Sequence, residues 1–99
     1  MDEFTKELLK NIEKAEKLGV RMARLKKDAE TYGGVKTAKE LLRKNRLSDG
    51  FEQLEQLGKL DLSMEALVVK GKFGALFTDD EVNRCFDRLC IGGFYTVSR

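Results

Sequence analysis

Apolar residues recur along the first third of the chain at a spacing near seven. Leu8, Ala15, Met22 and Ala29 form one row, and Leu18, Leu25 and Tyr32 form a second beside it. A narrow seam with 3.5-residue spacing is the mark of a helix that packs through one edge. It predicts one long helix over residues 3–32, roughly 45 Å long at about 1.5 Å per residue. Phe4 and Ile12 widen the stripe early, Asn11 interrupts it, and Gly19 weakens it by about 1 kcal/mol relative to Ala. The charged pairs Glu13–Lys17 and Lys26–Glu30 support the helix at four-residue spacing. The seam has two readings. Either it packs on the rest of the chain, or Leu8, Ala15, Leu18, Met22 and Leu25 overhang and bind a second copy, making a homodimer, or another protein.

Beyond this seam the pattern breaks into short helical stretches. Gly33-Gly34 is expected to end the long helix with a left-handed cap. Residues 35–46 restart with Val35, Ala38, Leu41 and Leu42 on one face. Ser48-Asp49-Gly50 reads as a turn, and Asp49 with Glu52 as a capping box for a short helix carrying Phe51, Leu54 and Leu57, which Gly58 stops. Ser63 caps the next helix, with Leu62 and Leu67 as its hydrophobic staple, and Gly71 ends it. Thr78 and Glu81 form a further capping box, flanked by Phe77 and Val82. The helix it opens turns Val82, Cys85, Phe86 and Leu89 inward and closes at Gly92-Gly93. The tail Phe94-Tyr95-Thr96-Val97 favours an extended strand. The fold class is therefore all-α. A long N-terminal helix (1–33) precedes a compact bundle of four to five short helices (34–99), together one structural domain. Phe51, Leu54, Leu60, Leu62, Leu67, Phe73, Leu76 and Phe77 are the candidate core of the bundle.

Composition sharpens this picture mainly by exclusion. Hydrophobic residues make up 41% and charged residues 36%, which suits helices with one apolar stripe and charged outer faces. No apolar run approaches the ~18 residues of a membrane span, and the acidic Met1-Asp2-Glu3-Phe4 start lacks a signal-peptide core, so a cytoplasmic protein is expected. Cys85 and Cys90 are expected to be reduced. The chain contains no histidine. That removes the usual general base and metal ligand, and two cysteines alone make no closed zinc site. Asp79, Asp80 and Glu81 resemble a carboxylate cluster, but helix capping accounts for them. No metal, cofactor or catalytic residue is expected, and the chain reads as a non-enzyme.

Charge is where a function becomes visible. Residues 1–50 hold 13 basic and 9 acidic side chains, while residues 51–99 hold 6 and 8. The excess concentrates in residues 21–46, where Arg21, Arg24, Lys26, Lys27, Lys36, Lys39, Arg43, Lys44 and Arg46 meet only Asp28, Glu30 and Glu40. Lys36, Lys39, Arg43 and Arg46 step along one helix face. Such a stripe is an ordinary solvated surface, a dock for an acidic protein, or a track for a phosphate backbone. Tyr32 is the one aromatic among these basics, which gives base stacking little support. The Gly33-Gly34-Val35-Lys36-Thr37 run lacks the preceding strand and spacing of a phosphate loop.

The runs Tyr32-Gly33-Gly34-Val35-Lys36-Thr37-Ala38-Lys39-Glu40-Leu41-Leu42, Ser48-Asp49-Gly50-Phe51-Glu52-Gln53-Leu54, Gly58-Lys59-Leu60-Asp61-Leu62-Ser63-Met64-Glu65-Ala66-Leu67-Val68 and Leu76-Phe77-Thr78-Asp79-Asp80-Glu81-Val82, with Arg88-Leu89, resemble a small helical module of uncharacterised bacterial proteins. The likeness spans residues 32–89. The module occurs in short proteins of bacteria, phages and plasmids, some beside defence genes. In size and composition the chain is similar to anti-CRISPR inhibitors from that setting. The resemblance assigns no residue a role. It implies a protein that inhibits or regulates a nucleic-acid-processing enzyme, such as a Cas nuclease or its ribonucleoprotein, with the basic stripe in a channel or on an acidic patch. Direct, sequence-independent nucleic-acid binding through residues 21–46 is the alternative.

Overall fold

The first helix, α1 (Glu3–Lys17), opens on Asp2, whose carboxylate accepts the Thr5 amide at 2.8 Å. Its buried positions are Phe4, Thr5, Leu8, Ile12 and Ala15, one face at helical spacing. In the computed structural model, which describes residues 2–93, this helix is the axis of the fold. It packs against α2 (Ala23–Tyr32), α3 (Gly34–Arg43), α5 (Met64–Val68) and a 3-10 turn at Leu60–Leu62. The short α4 (Phe51–Leu57), a second 3-10 turn at Gly71–Leu76 and the last helix, α6 (Asp79–Ile91), complete an all-α arrangement with no strand among the described residues. The expected extended tail at 94–97 lies outside them.

The single long helix over 3–32 is not what forms. The chain leaves helical geometry after Lys17 and resumes it at Ala23. Gly19 adopts φ +88°, the Val20 amide donates to the Ala15 carbonyl at 3.1 Å, and the Gly19 amide donates to Glu16 at 3.0 Å. These are the two bonds of a Schellman ending with glycine at its left-handed position and an apolar residue just beyond. The break has an energetic reason. A straight helix of roughly 45 Å would hold half of its seam out in water; folding it back buries Met22, Leu25 and Ala29 in the same core as Leu8 and Ala15. Full burial of a Leu or Met side chain is worth about 1.5–3 kcal/mol, more than the interrupted helix costs.

The seam is consumed by this packing. Leu8, Ala15, Met22 and Leu25 are between 0 and 2% exposed within one chain, so they are not available to a second copy. Of the seam, Leu18 at 49% and Tyr32 at 61% still face outward. Nor does the core stop at residue 33. Phe4 meets the rings of Phe73 and Phe77, each at 5.2 Å between centroids, and so ties α1 to the C-terminal half. Leu76 and Phe86, expected inside, are 41% and 38% exposed.

A buried relay fixes where α3 begins. The Gly34 amide donates to Thr5 Oγ1 at 2.8 Å, and that hydroxyl donates to Asp2 Oδ1 at 2.8 Å. One helix start thereby uses the cap of another. Gly34 allows the approach because a Cβ there would stand 3.0 Å from the Phe4 ring and 3.1 Å from the Thr5 backbone. Gly33 does not form the expected left-handed cap: at φ 90°, ψ 150° it is a one-residue hinge in a region open essentially to glycine. With so short a link, α2 and α3 fold against each other as a hairpin.

Two of the expected caps form and one is redirected. Ser63 Oγ accepts the Ala66 amide at 3.1 Å, and Thr78 and Glu81 close the reciprocal capping box of α6. Asp49 does not cap α4, which starts at Gly50 without a side-chain cap. Its Oδ2 instead accepts the Arg24 and Leu25 amides, at 3.1 and 3.4 Å, and caps α2 from across the fold. Asp61 is exposed at the 3-10 turn, and its carboxylate has no hydrogen-bond partner among the described residues.

Candidate partner-binding groove

Because Asp49 reaches the start of α2 from the segment that follows α3, the α2–α3 hairpin and that segment enclose a groove of about 540 Å³. Its apolar lining comes from Leu25, Leu41 and Leu47, and Tyr32 stands near the hinge with 61% of its surface exposed. Arg24 and Arg46 flank the open end, and Lys36 lies toward the hinge with its ammonium 5.8 Å from the Tyr32 ring centre. Thr37 also lines the groove, 5% exposed, and its hydroxyl has no hydrogen-bond partner among the described residues.

The α6 helix holds this wall in place. Arg88 donates to the Arg46 carbonyl at 2.9 Å and to Asn45 Oδ1 at 3.2 Å, and Arg84 donates to the Leu42 carbonyl at 2.9 Å. The Leu42 carbonyl in the last turn of α3 and the Arg46 carbonyl just beyond the helix are thus each met by a guanidinium from another element. Asn45 takes φ 56° and ends α3 by the same closure that Gly19 gives α1, with the Arg46 amide on the Leu41 carbonyl at 2.9 Å. Beneath the loop, Glu65 is fully buried. It accepts the Ser48 amide at 3.1 Å and the Ser48 hydroxyl at 2.6 Å, with Arg88 Nη1 at 3.5 Å.

The structure divides the basic residues expected to bind a partner. It gathers Arg24, Lys36, Lys44 and Arg46 on the groove. Arg21 lies outside, in the α1–α2 link, where its amide donates to Gln53 Oε1 at 3.2 Å. Lys26 faces Glu16 at 3.7 Å, and Lys27 is exposed away from the groove. The four-residue stripe does not act as one surface. Lys39 is drawn to Glu81 at 2.8 Å and packs over Phe77, while Arg43 and Lys44 share Glu40.

These pairings set the local electrostatics. The Arg43 hydrogen bond holds the Glu40 carboxyl below its usual range. At Glu81 burial pushes upward, but the Lys39 and Thr78 hydrogen bonds outweigh it and the net shift is downward. No carboxylate among the described residues lies within ion-pair distance of Arg24, Lys36 or Arg46. Of the acids lining the groove, Glu40 is held by its neighbours and Asp49 by the α2 amides, which leaves Asp28.

Leu41, Leu47 and Asp49 complete the groove and were not legible as site residues. Leu41 follows the inward face and reads as core, and Leu47 belongs to no periodic run. Asp49 beside Glu52 reads as a local cap. Chemistry beyond binding has few candidates. Among the described residues no three His, Cys, Asp or Glu side chains converge to hold a metal ion. Burial pushes the Cys85 thiol up to about 12, so it is not a thiolate near neutrality, and Cys90 is exposed and unpaired with it. No described helix is long and apolar enough to cross a membrane. No protein-family model matches the chain, and neither the curated proteins nor the solved structures contain a significant match to it.

Proposed function

We propose that this chain is a non-enzymatic interaction protein whose α2–α3 face binds an acidic surface of a protein partner. One observation carries the reading: Arg24, Lys36 and Arg46, without carboxylate partners among the described residues, surround a groove lined in part by Leu25, Leu41 and Leu47. Unpaired cations beside leucines suit a protein surface that offers acids around an apolar anchor. The partner class follows from the sequence reading. It is a nucleic-acid-processing enzyme, of which a Cas nuclease inhibited by a bacterial or phage protein is the most concrete form.

Direct nucleic-acid binding through residues 21–46 is less well supported, because Lys26, Lys39, Arg43 and Lys44 already face carboxylates. Affinity capture with the wild-type chain and the triple variant Arg24→Glu/Lys36→Glu/Arg46→Glu tests the proposal. The wild type should retain one nucleic-acid-processing enzyme and reduce its cleavage rate, and the variant should lose both effects. If the variant inhibits as well as wild type, the face is only solvated surface. Retardation of short duplex DNA that collapses between low and moderate salt would move the assignment to nucleic acid.

A further inference from the structure

The groove has a length, a polarity and a charge pattern, and together these specify the form of what it holds. Helices α2 and α3 have ten residues each, so the hairpin offers a channel of about 15 Å. Its apolar positions, Leu25, Leu41 and Leu47, lie toward the open end between cations placed at both ends, Arg24 and Arg46 at one and Lys36 near the hinge. A third helix lying along two packed helices is the occupant this geometry favours, because its side-chain ridges enter the channel between them. An extended peptide would find no sheet edge, since no strand occurs among the described residues. Leu47 and Tyr32, 43% and 61% exposed, are large apolar groups that such a helix would cover.

We infer that the groove receives an acidic amphipathic helix of roughly three turns from the partner protein, leucine-type residues inward and Glu or Asp along its flanks. The inference rests on the protein-binding reading above and adds the form of the recognised segment. Carboxylates near both ends of the helix meet Arg24, Arg46 and Lys36, while the apolar stripe covers Leu25, Leu41 and Leu47. Asp28, the acid in the groove not already engaged, disfavours an all-acidic ligand and favours one with a mixed face.

The test uses the full chain and three fluorescein-labelled synthetic peptides of fourteen residues (about four turns). One carries Leu at i, i+3, i+4 and i+7 with Glu on both flanks. The second has the same composition scrambled to destroy the stripe, and the third replaces each Leu by Ser. By fluorescence anisotropy the first should bind at least about tenfold more tightly than the others, a difference of about 1.4 kcal/mol. Leu47→Lys, and separately Arg24→Glu/Arg46→Glu, should each remove at least about tenfold of that affinity, while Arg21→Glu, outside the groove, should not. These side chains are surface groups, and Arg88 uses only the backbone carbonyl of Arg46, so circular dichroism and urea midpoints should match wild type.

Equal binding of the scrambled peptide, or full affinity in Leu47→Lys, overturns the helix-in-groove inference while leaving a charge-driven protein contact standing. Absence of binding by all three peptides overturns the inference as well, and the capture experiment then decides the broader reading separately. A short DNA duplex that outcompetes the first peptide at moderate salt overturns both.

Discussion

Removing the Arg88 side chain should destabilise the protein by about 3 kcal/mol, and the structure says how that figure arises. Glu65 is 0% exposed, and its charge is met by the Ser48 amide, the Ser48 hydroxyl and Arg88. Breaking a buried ion pair by deleting one partner costs about 3–5 kcal/mol, because the remaining charge is desolvated without compensation. The lower end applies here, since Ser48 still donates two hydrogen bonds and the Arg88 contact is long at 3.5 Å. Arg88→Leu also withdraws donors from the Arg46 carbonyl and Asn45, a loss of about 1 kcal/mol included in the total. With a urea m-value of about 2 kcal/mol/M, the midpoint should fall by about 1.5 M. A double-mutant cycle isolates the charge. In a Glu65→Gln background Arg88→Leu should cost only about 1 kcal/mol, leaving a coupling of about 2 kcal/mol. A coupling below about 0.5 kcal/mol would refute the argument that the buried charge depends on Arg88. The same variant should loosen Arg46 and Leu47, so peptide affinity at the groove should fall along with stability.

Other outcomes follow from the same physical reasoning. Gly34→Ala should destabilise by about 1–3 kcal/mol because the added methyl meets Phe4 and the Thr5 backbone. Gly19→Ala should cost only about 1 kcal/mol, since nothing lies within 4 Å and only the positive φ is strained; comparing their urea midpoints checks the order. Asp49→Ala should cost about 1 kcal/mol and raise amide exchange at Arg24 and Leu25, the start of α2, without unwinding α4. The depressed Glu81 carboxyl contributes stability that is present above about pH 4.5 and lost as pH falls through its lower folded value. Glu81→Gln should therefore be less stable than wild type by about 0.5–1 kcal/mol at neutral pH, with the gap closing below about pH 4. A gap that stays constant across that range would show that Lys39 and the capping amide do not favour the ionised form.

Much of the architecture was legible because its causes are local. Ser63, and Thr78 with Glu81, cap helices through atoms three residues away, so spacing alone locates those starts. The stripe Phe4, Leu8, Ile12 and Ala15 marks the inner face of α1 by period alone. Gly19 was legible as a weakness but not as a reversal. A seven-residue seam is equally satisfied by one straight helix with a partner and by two helices folded on each other. The choice between them depends on whether Met22, Leu25 and Ala29 can reach the core that Leu8 and Ala15 begin, which is a property of the whole chain.

The same division governs the candidate site. Sequence alone determined the helical class, the absence of histidine and the concentration of positive charge in residues 21–46. Tertiary structure alone decided which of those charges remain unpaired. Lys39 lies 42 residues from Glu81, and Asp49 lies 25 residues from the Arg24 amide it accepts. Neither distance has a signature in spacing, because an ion pair or a cap made across the fold costs chain entropy that only the packed core can offset. Once those partners are taken, Arg24, Lys36 and Arg46 are what remain around Leu25, Leu41 and Leu47.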